Sequence, residues 1–257
     1  MKNMLSVIII TKNEANHITR CLQSVSWADE IIVLDSGSTD NTVALCKKFT
    51  DLVFETDWPG FGPQKQRALD KAQYDWVLSI DADEWVTAEL KEEILSVVKS
   101  TDTQGYNIPR LSQYCGREMK HGGWWPDYVL RLFLKQNGKF SESLVHERVI
   151  LDGKQGKLKE PLLHESYTTL DEVLSKTNNY SSLGAQMLYE KKTKSSITKA
   201  IMRGMWTFFR TYIVKTSFLD GEQGLMLAIS NAETTYYKYA KLHLLNKQKK
   251  EACHRSA

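Results

Sequence analysis

Several features are scarce or missing in this sequence. It has four scattered cysteines with no CxxC pair, and only five prolines among 257 residues. The cysteine pattern indicates neither a disulfide framework nor a zinc site, and it is typical of proteins from a reducing compartment. The low proline count and the absence of repeats argue against a disordered or fibrous chain.

Long apolar runs and a strong net charge are also missing. No uninterrupted apolar run reaches the ~18 residues that a membrane span needs. The first run is broken by Lys12, Asn13 and Glu14, which does not match a signal peptide. A formal net charge of +3 does not by itself indicate a nucleic-acid binder. We therefore expect a cytoplasmic globular protein without a nucleic-acid partner.

Short β-branched apolar runs alternate with amphipathic segments in the first hundred residues. The patterns predict strands at residues 5–10, 31–34, 52–54 and 76–80, and helices at 15–25, 43–49, 64–72 and 87–99. This alternation is typical of βαβ units. It predicts an α/β fold with a Rossmann-like, mostly parallel sheet flanked by helices.

The rest of the chain changes character twice. Residues 105–165 hold aromatic residues and short extended runs, which predict a second half of the same domain. From residue 170 the pattern is helical, with helices expected at 170–189, 197–214 and 221–247. The expected organisation is a domain over residues 1–165, with halves 1–104 and 105–165, and a helical C-terminal region over 166–257.

Polar clusters follow three of the predicted strands, at residues 11–14, 35–40 and 81–84. In open α/β sheets, ligands bind beyond the carboxyl ends of the strands, so these loops should converge on one crevice. Asp81 and Asp83, one residue apart, can face one hard cation such as Mg²⁺ or Mn²⁺. Such an ion neutralises a diphosphate leaving group. The alternative is a solvated acidic loop.

Three segments in this order, IIITKNE at 8–14, DSGSTD at 35–40 and DADE at 81–84, resemble glycosyltransferase family 2. The resemblance covers roughly residues 4–165. It implies the GT-A fold, inverting transfer of a sugar from a nucleotide-sugar donor, and a divalent cation. Residues 1–104 would bind the donor and residues 105–165 the acceptor. Many members have two aspartates where this chain has Asp35 and Ser36.

The resemblance also implies roles for single residues. The nucleotide-sugar would be bound by Thr11, Asn13, Glu14, Asp35, Lys65, Arg67 and Asp81. The metal would be bound by Asp83, with Asp81 as a further candidate. Apart from the resemblance, His164 is a candidate metal ligand by its residue type, and a structural histidine is the alternative. For Lys65 and Arg67 an exposed helix face is an equal alternative. For Glu14 the alternative is a carboxylate that stabilises a helix N-terminus.

An inverting transfer needs one general base that deprotonates the acceptor hydroxyl. The candidates are Glu147, which we favour, and Asp127. The alternative for Glu147 is a salt bridge to Arg148 or Arg131. The candidate acceptor-binding residues are Trp124, Trp125, Tyr128 and Arg131, of which the aromatic residues can pack against sugar rings or against the core.

The segments 125–127, 131–133, 145–147 and 217–225 resemble a subgroup of family 2 that builds lipopolysaccharide cores. Within it, the motifs are similar to those of inner-core β-1,4-glucosyltransferases, which implies UDP-glucose as the donor and a lipid-anchored heptose as the acceptor.

Residues 197–214 combine apolar and aromatic residues with interleaved lysine and arginine. This pattern predicts a helix in peripheral contact with the cytoplasmic face of the inner membrane. A helix that packs its apolar stripe on the catalytic domain is the alternative.

Other functions stay open at this point. A nucleotidyltransferase acting on sugar phosphates would share the sheet and the metal, but the segment 11–14 lacks the glycine-rich loop typical of that class. A transferase for another surface glycan is also compatible with the motifs. A noncatalytic glycan-binding module would not need Asp81 and Asp83 together with Asp35.

Overall fold

The computed structural model of the protein describes residues 4–99, 102–141 and 147–255, with side chains as far as residue 248. The strands are β1 (Leu5–Thr11), β2 (Glu30–Asp35), β3 (Val53–Glu55), β4 (Trp76–Asp81), β5 (Glu84–Val86), β6 (Gly105–Tyr114), β7 (Arg117–Glu118), β8 (Asp127–Leu134), β9 (Gly138–Phe140), β10 (Val149–Leu151), β11 (Gln155–Lys157) and β12 (Leu162–Tyr167). The α-helices are α1 (Ile18–Ser24), α2 (Thr42–Cys46), α3 (Phe61–Lys71), α4 (Ala88–Val97), α5 (Leu170–Glu190), α6 (Ile197–Phe209) and α7 (Gly221–Arg255).

The main sheet is mixed, with the strand order β3-β2-β1-β4-β8-β6-β12-β5. The first four strands are parallel. Strand β8 is antiparallel to both β4 and β6. The α/β fold expected from the sequence is therefore confirmed, and the parallel part is the half built from alternating strands and helices.

The position of strand β1 in the sheet explains why its sequence is an almost unbroken apolar run. Val7 and Ile9 pack into one hydrophobic cluster, whereas Ile8 and Ile10 pack into another. Successive strand residues point to opposite faces of a sheet, so a strand covered on both sides needs apolar residues at every position. Strand β1 therefore lies at the centre of the core.

The predicted helices are present. Most of their ends differ from the prediction by up to three residues, but α7 ends at Arg255 rather than at residue 247. Thr87, Thr169 and Ser196 cap α4, α5 and α6, each accepting a hydrogen bond from a backbone N–H three residues on. The helix predicted over 197–214 is α-helical to Phe209 and continues as one π-helical segment, Arg210–Val214. A 3₁₀ helix, Ser217–Asp220, occupies the break predicted before α7.

The chain divides into two compact units. The first comprises Met1–Leu111 and Pro126–Glu165, and the second comprises Ser112–Trp125 and Ser166–Ala257. Trp124 and Trp125 therefore belong to the same unit as the C-terminal helices, although the sequence places them in the half 105–165.

Within the second unit, the helices meet through small and polar residues. The residues of α5 that are buried are Val173, Thr177, Ser181 and Ala185, and those of α6 are Ala200 and Gly204. A Cβ on Gly204 would lie 3.3 Å from the carbonyl oxygen of Ala232 on α7, so α6 and α7 approach closely. Nineteen of the twenty-four exposed large apolar side chains of the described residues lie in this unit. Its apolar residues therefore point outward to an unusual degree.

None of the helices in the described part of the chain is both long enough and apolar enough to cross a membrane. Cys21 and Cys46 are buried free thiols on α1 and α2.

Truncation of a core side chain in β1 should be costly. Ile9→Ala should lower the free energy of unfolding by about 2–5 kcal/mol, because Ile9 is fully buried and its loss leaves a cavity. The exposed Ile150 on β10 provides the matched control, and Ile150→Ala should cost under about 1 kcal/mol. Urea denaturation followed by circular dichroism measures both. Equal losses would contradict the central position of β1.

Candidate active site

Three strands end side by side at one edge of the sheet. Thr11 at the end of β1 is in register with Asp35 at the end of β2, and Ile10 is in register with Asp81 at the end of β4. The backbone N–H of Ser36 donates to the carbonyl oxygen of Thr11 at 2.9 Å. The three polar clusters expected to converge are therefore neighbours, because parallel strands place their carboxyl ends at the same edge.

The loops after β1 and β2 are tied together by side-chain hydrogen bonds. The Oδ1 atom of Asn13 accepts from the backbone N–H of Thr39 at 2.8 Å, and the N–H of Asn13 donates to the hydroxyl of Ser38 at 2.8 Å. The N–H of Glu14 donates to the hydroxyl of Thr42 at 2.8 Å. Asn13 adopts the left-handed conformation, with φ 56°, which asparagine tolerates better than most residues. The two motifs thus form one scaffold.

Asp35 is completely buried and holds its own loop in shape. Its Oδ1 atom accepts from the backbone N–H groups of Gly37 at 2.9 Å and Ser38 at 2.8 Å, and its Oδ2 atom accepts from the Ser38 hydroxyl. An aspartate that accepts from backbone groups two and three residues on is typical of a tight turn. Its role in nucleotide binding stays a prediction.

Thr11 presents an unsatisfied group at the same edge. Its side chain is buried, and its hydroxyl has no hydrogen-bond partner in the described residues. A buried hydroxyl without a partner is unfavourable and indicates a group that a ligand or water completes. Thr11 therefore offers an unused hydrogen-bonding group at this edge of the sheet.

Lys65 on α3 is buried, with a side chain that is 2% exposed, so the alternative of an exposed helix face is wrong for this residue. Its Nζ atom lies 2.7 Å from Oδ1 of Asp81 and 2.7 Å from Oε1 of Glu147. One ammonium group therefore holds a strand-end aspartate and the favoured general base on either side.

Arg131 on β8 extends these ion pairs. Its Nη2 atom donates to Oδ2 of Asp81 at 2.5 Å and to Oε1 of Glu84 at 2.7 Å. Arg110 on β6 lies 3.5 Å from the same Glu84 oxygen and donates to Oδ2 of Asp127 at 2.6 Å.

The result is a chain of alternating charges, which we call the ionic chain. Its members, in order of contact, are Glu147, Lys65, Asp81, Arg131, Glu84, Arg110 and Asp127. It links both general-base candidates to the end of β4.

The cations of the ionic chain keep Asp81 ionised. Burial alone would raise the pKa of Asp81, but the charges of Arg131 and Lys65 outweigh it and hold the pKa well below its usual range. Likewise, burial would lower the pKa of Arg131, and Asp81 and Glu84 raise it instead. Both carboxylate oxygens of Asp81 are thus paired with cations.

Asp83 is the other acid of the strand-end pair. Its side chain is 28% exposed, and its Oδ2 atom lies 3.3 Å from Nε2 of His164 on β12. In the described parts of the chain, no group of three or more His, Cys, Asp or Glu side chains is arranged to hold a metal ion. Mg²⁺ is commonly bound by one or two carboxylates plus water and substrate phosphates. Asp83 can therefore contribute one carboxylate to an ion whose other ligands are water and phosphates.

The remaining predicted residues lie in different surroundings. The side chain of Arg67 is 41% exposed and donates to Asp57 at 2.6 Å. Trp124 packs in the second unit, with its ring centroid 5.9 Å from that of Tyr114 and 6.0 Å from that of Tyr167. This placement is that of a core aromatic residue. Tyr128 belongs to the first unit, is exposed, and has the Lys157 ammonium 4.5 Å above its ring. Trp125 is half-buried.

Three residues of the site have no role predicted from the sequence. Glu84 is the fourth residue of the DADE segment, and it is fully buried, with its Oε2 atom accepting from the backbone N–H of Asp81 at 2.9 Å. Gln64 is also buried and donates to Ser36 at 3.0 Å. Arg110 pairs across the sheet with Asp127. The sequence does hold a signal for Arg110, which is a charged residue inside a pattern typical of a β-strand. A cation that is buried in a strand needs an acid as its partner.

Comparison with known families gives one match over more than half of the chain. The sequence model described as "Glycosyl transferase family 2" matches residues 6–146. The match includes every motif at the strand ends and the segment that carries Arg110, Asp127 and Arg131.

Two full-length relatives extend the similarity into the helical region. An uncharacterized glycosyltransferase of Rickettsia felis is 32% identical over 252 residues, which cover 93% of this chain and 89% of that protein. The lipopolysaccharide core biosynthesis glycosyltransferase LpsC of Rhizobium meliloti is 30% identical over 253 residues, covering 93% of this chain and 92% of LpsC. These names favour sugar transfer over nucleotidyl transfer or glycan binding alone.

Among solved structures, the glucosyl-3-phosphoglycerate synthase of Mycobacterium tuberculosis, crystallised with Mn²⁺, UDP-glucose and phosphoglyceric acid, is 27% identical. The match covers 44% of each chain with a TM-score of 0.36. That score is too low for the likeness to bear on function here.

Removal of Arg131 should destabilise the protein far more than removal of Arg67. Arg131→Met leaves the buried Glu84 and Asp81 without their shared cation and should cost about 3–5 kcal/mol at pH 7. Arg67→Met removes an exposed ion pair and should cost under about 1 kcal/mol.

The Arg131 effect should also depend on pH. The lowered pKa of Asp81 stabilises the fold above the ordinary value of 3.8, and this contribution is lost as the pH falls further. The difference between wild type and Arg131→Met should therefore narrow below about pH 4. Denaturant midpoints measured from pH 7 down to pH 3 test this, and a difference that widened with acid would contradict the ionic chain.

Proposed function

The chain belongs to glycosyl transferase family 2, with an α/β GT-A fold, and from that premise we propose that it transfers a hexose, with inversion, to a lipopolysaccharide inner-core acceptor. The observation that carries this proposal is the ionic chain, which joins the acidic end of β4 to both general-base candidates. The similarity to LpsC over nearly the whole chain supports the acceptor class.

The donor in this proposal is a nucleotide-sugar, with UDP-glucose as our choice because the motifs resemble those of inner-core glucosyltransferases. The neighbouring strand ends offer groups that suit a nucleotide. The unsatisfied hydroxyl of Thr11 can hydrogen-bond a base or ribose, and the scaffold of Asn13, Glu14 and Asp35 keeps the loops around it in place.

A divalent ion, Mg²⁺ or Mn²⁺, completes the proposal. Asp83 would hold it, and His164 lies close enough to contribute. When bound, such an ion neutralises the charge that develops on the diphosphate as the glycosidic bond breaks. The neighbouring Asp81 accepts from Lys65 and Arg131. We therefore assign Asp81 to positioning these cations, and Asp83 to binding the metal.

The general base is the remaining role. We favour Glu147, because the Lys65 ammonium group contacts both Glu147 and Asp81 and so keeps Glu147 close to the end of β4. The general base removes a proton from the acceptor hydroxyl as the hydroxyl oxygen attacks the anomeric carbon. Asp127 is held by Arg110 at the far end of the ionic chain and remains the second choice.

We further propose that the protein works in peripheral contact with the cytoplasmic face of the inner membrane. On α6 the apolar side chains of Met205, Trp206 and Phe209 are exposed. Between Glu190 and Asp220 the sequence has seven basic residues and no acid. Exposed aromatic residues beside cations suit an anionic lipid surface, and the buried free thiols suit a reducing compartment.

Loss of the Asp83 carboxylate should abolish transfer. Asp83→Asn should reduce the transfer of labelled glucose from UDP-glucose by at least about a hundredfold, because the metal loses its main protein ligand. Membranes from a strain lacking the gene supply the acceptor. Asp152→Asn, at an exposed turn, is the control and should keep full activity. Full activity of Asp83→Asn would refute the metal site.

The two base candidates can be separated by kinetics. Glu147→Gln should lower kcat by about 10²–10⁴-fold and leave UDP binding unchanged, since a base acts on the acceptor proton. Asp127→Asn should have a smaller effect. If Asp127→Asn causes the larger fall in kcat, Asp127 is the base.

The membrane surface has a matched control within the chain. Trp206 and Phe209 form one exposed aromatic pair on α6, and Trp58 and Phe61 form another in the first unit. The double change Trp206→Ser and Phe209→Ser should weaken cosedimentation with vesicles containing phosphatidylglycerol by roughly tenfold. The same changes at Trp58 and Phe61 should have little effect. Equal losses from the two pairs would argue against a surface specific to α6.

A further inference from the structure

A histidine–aspartate pair lies in the second unit, outside the site described above. Asp220, at the end of the 3₁₀ helix, is 2% exposed. Its Oδ2 atom accepts from the backbone N–H of His121 at 2.7 Å, and its Oδ1 atom lies 2.9 Å from Nδ1 of the same residue. Both carboxylate oxygens are thus used to fix one histidine.

This pairing leaves the other ring nitrogen of His121 available. The His121 side chain is 34% exposed, and in the described residues Nε2 has no hydrogen-bond partner. A carboxylate that fixes Nδ1 orients the ring and determines the direction in which Nε2 points. His121 is therefore a partly exposed ring with a fixed orientation, and its Nε2 atom is not used by the described residues.

The two residues after His121 must be glycines. Gly122 and Gly123 have φ values of 68° and 84°, a conformation that glycine adopts without steric cost. The N–H of Gly122 donates to the carbonyl oxygen of Lys215 at 2.8 Å. A Cβ on Gly123 would lie 2.2 Å from Nζ of Lys215, so the lysine side chain lies directly against this bare backbone.

The Lys215 ammonium group lacks a charged partner among the described residues. Lys215 is half-buried, and its ammonium group has no hydrogen bond or ion pair within the described parts of the chain. Partial removal of a charge from water is unfavourable unless a partner compensates it. Two acids follow Lys215 closely in the sequence. Asp220 is already paired with His121, and Glu222 is exposed to water.

Another basic side chain lies beside the same segment. The guanidinium of Arg117 on β7 would be 3.5 Å from a Cβ at Gly221, the residue after Asp220. Phosphate and carboxylate oxygens form their strongest hydrogen bonds with such charged donors. The loop that holds His121 also leads directly into Asp127 on β8, one of the base candidates, rather than into the donor motifs.

We propose that His121 and Lys215, supported by Asp220, bind an acidic group, phosphate or carboxylate, on the acceptor glycan. The assignment of the ligand to the acceptor glycan rests on the proposed function, whereas the anion site itself rests only on the contacts within the second unit. The anion site gives a function to the segment around Asp220, which is not needed for sugar transfer alone. Asp220 is a positioning residue, because it acts through His121.

Anion binding can be measured without any transfer reaction. The full-length protein with ¹⁵N-labelled histidine is titrated with inorganic phosphate while the ring signals are followed by NMR, and His121→Gln identifies the His121 signal. Glucose 6-phosphate and glucuronate then distinguish phosphate from carboxylate, with glucose as the neutral control. We expect saturable shifts of the His121 signal with phosphate and with at least one acidic sugar, and none with glucose.

Lys215→Met should weaken phosphate binding about tenfold, because it removes one charge-assisted hydrogen bond. Lys191→Met, at an exposed site in the same unit, is the matched control and should bind as the wild type does. Asp220→Asn should change the His121 ring signals before any ligand is added. Lys215→Met is the decisive variant, because its change lies at a side-chain end and should leave the fold intact by circular dichroism.

Unchanged phosphate affinity in Lys215→Met, or equal shifts with glucose, would overturn the anion site. Binding of phosphate in the wild type without any glucosyl transfer would leave the site standing and count against the proposed function instead.

Discussion

The active-site region depends on the pairing of buried charges. Lys65, Arg131 and Glu84 are buried, and a buried charge is tolerated only when an opposite charge and hydrogen bonds compensate it. Asp81 satisfies two of them at once. Because Lys65 lies on helix α3, Asp81 on strand β4 and Arg131 on strand β8, the ionic chain fixes these elements relative to one another. The same contacts hold Glu147 and Asp127 in place.

This arrangement divides the labour between two aspartates that look equivalent in sequence. Asp81 is the last residue of β4 and faces Lys65 and Arg131, whereas Asp83 lies in the turn before β5 and faces His164. The ion pairs of Asp81 with two cations give it a structural role, whereas the partial exposure of Asp83 leaves its carboxylate accessible to a ligand. A motif of two acids one residue apart thus supplies one anchor and one candidate metal ligand.

The second unit follows a different packing rule from the first. In the sheet, large apolar residues fill two clusters on either side of β1. At the buried positions of α5 and α6, threonine, serine, alanine and glycine predominate beside Val173. Helix α7 also buries Leu227 and Leu242, whereas many other large apolar residues of this unit are exposed. Small residues at helix contacts with apolar residues outside are what an apolar environment favours. This inverted pattern extends the membrane hypothesis beyond α6 to its neighbours, and the His121–Asp220 pair adds an ordered polar site to the same unit.

Periodicity in the sequence determined the strands and helices of the first hundred residues, because a strand buried on both faces and an amphipathic helix leave different patterns. It also placed the acidic and polar motifs at the strand ends, as residues 11–14, 35–40 and 81–84 show. Only the tertiary structure decided what each side chain does there. Lys65 and Arg67 lie two residues apart on α3, yet one is buried between two carboxylates and the other is exposed. Burial and partners come from residues distant in the chain, such as Glu147 and Arg131, and no local pattern encodes that meeting.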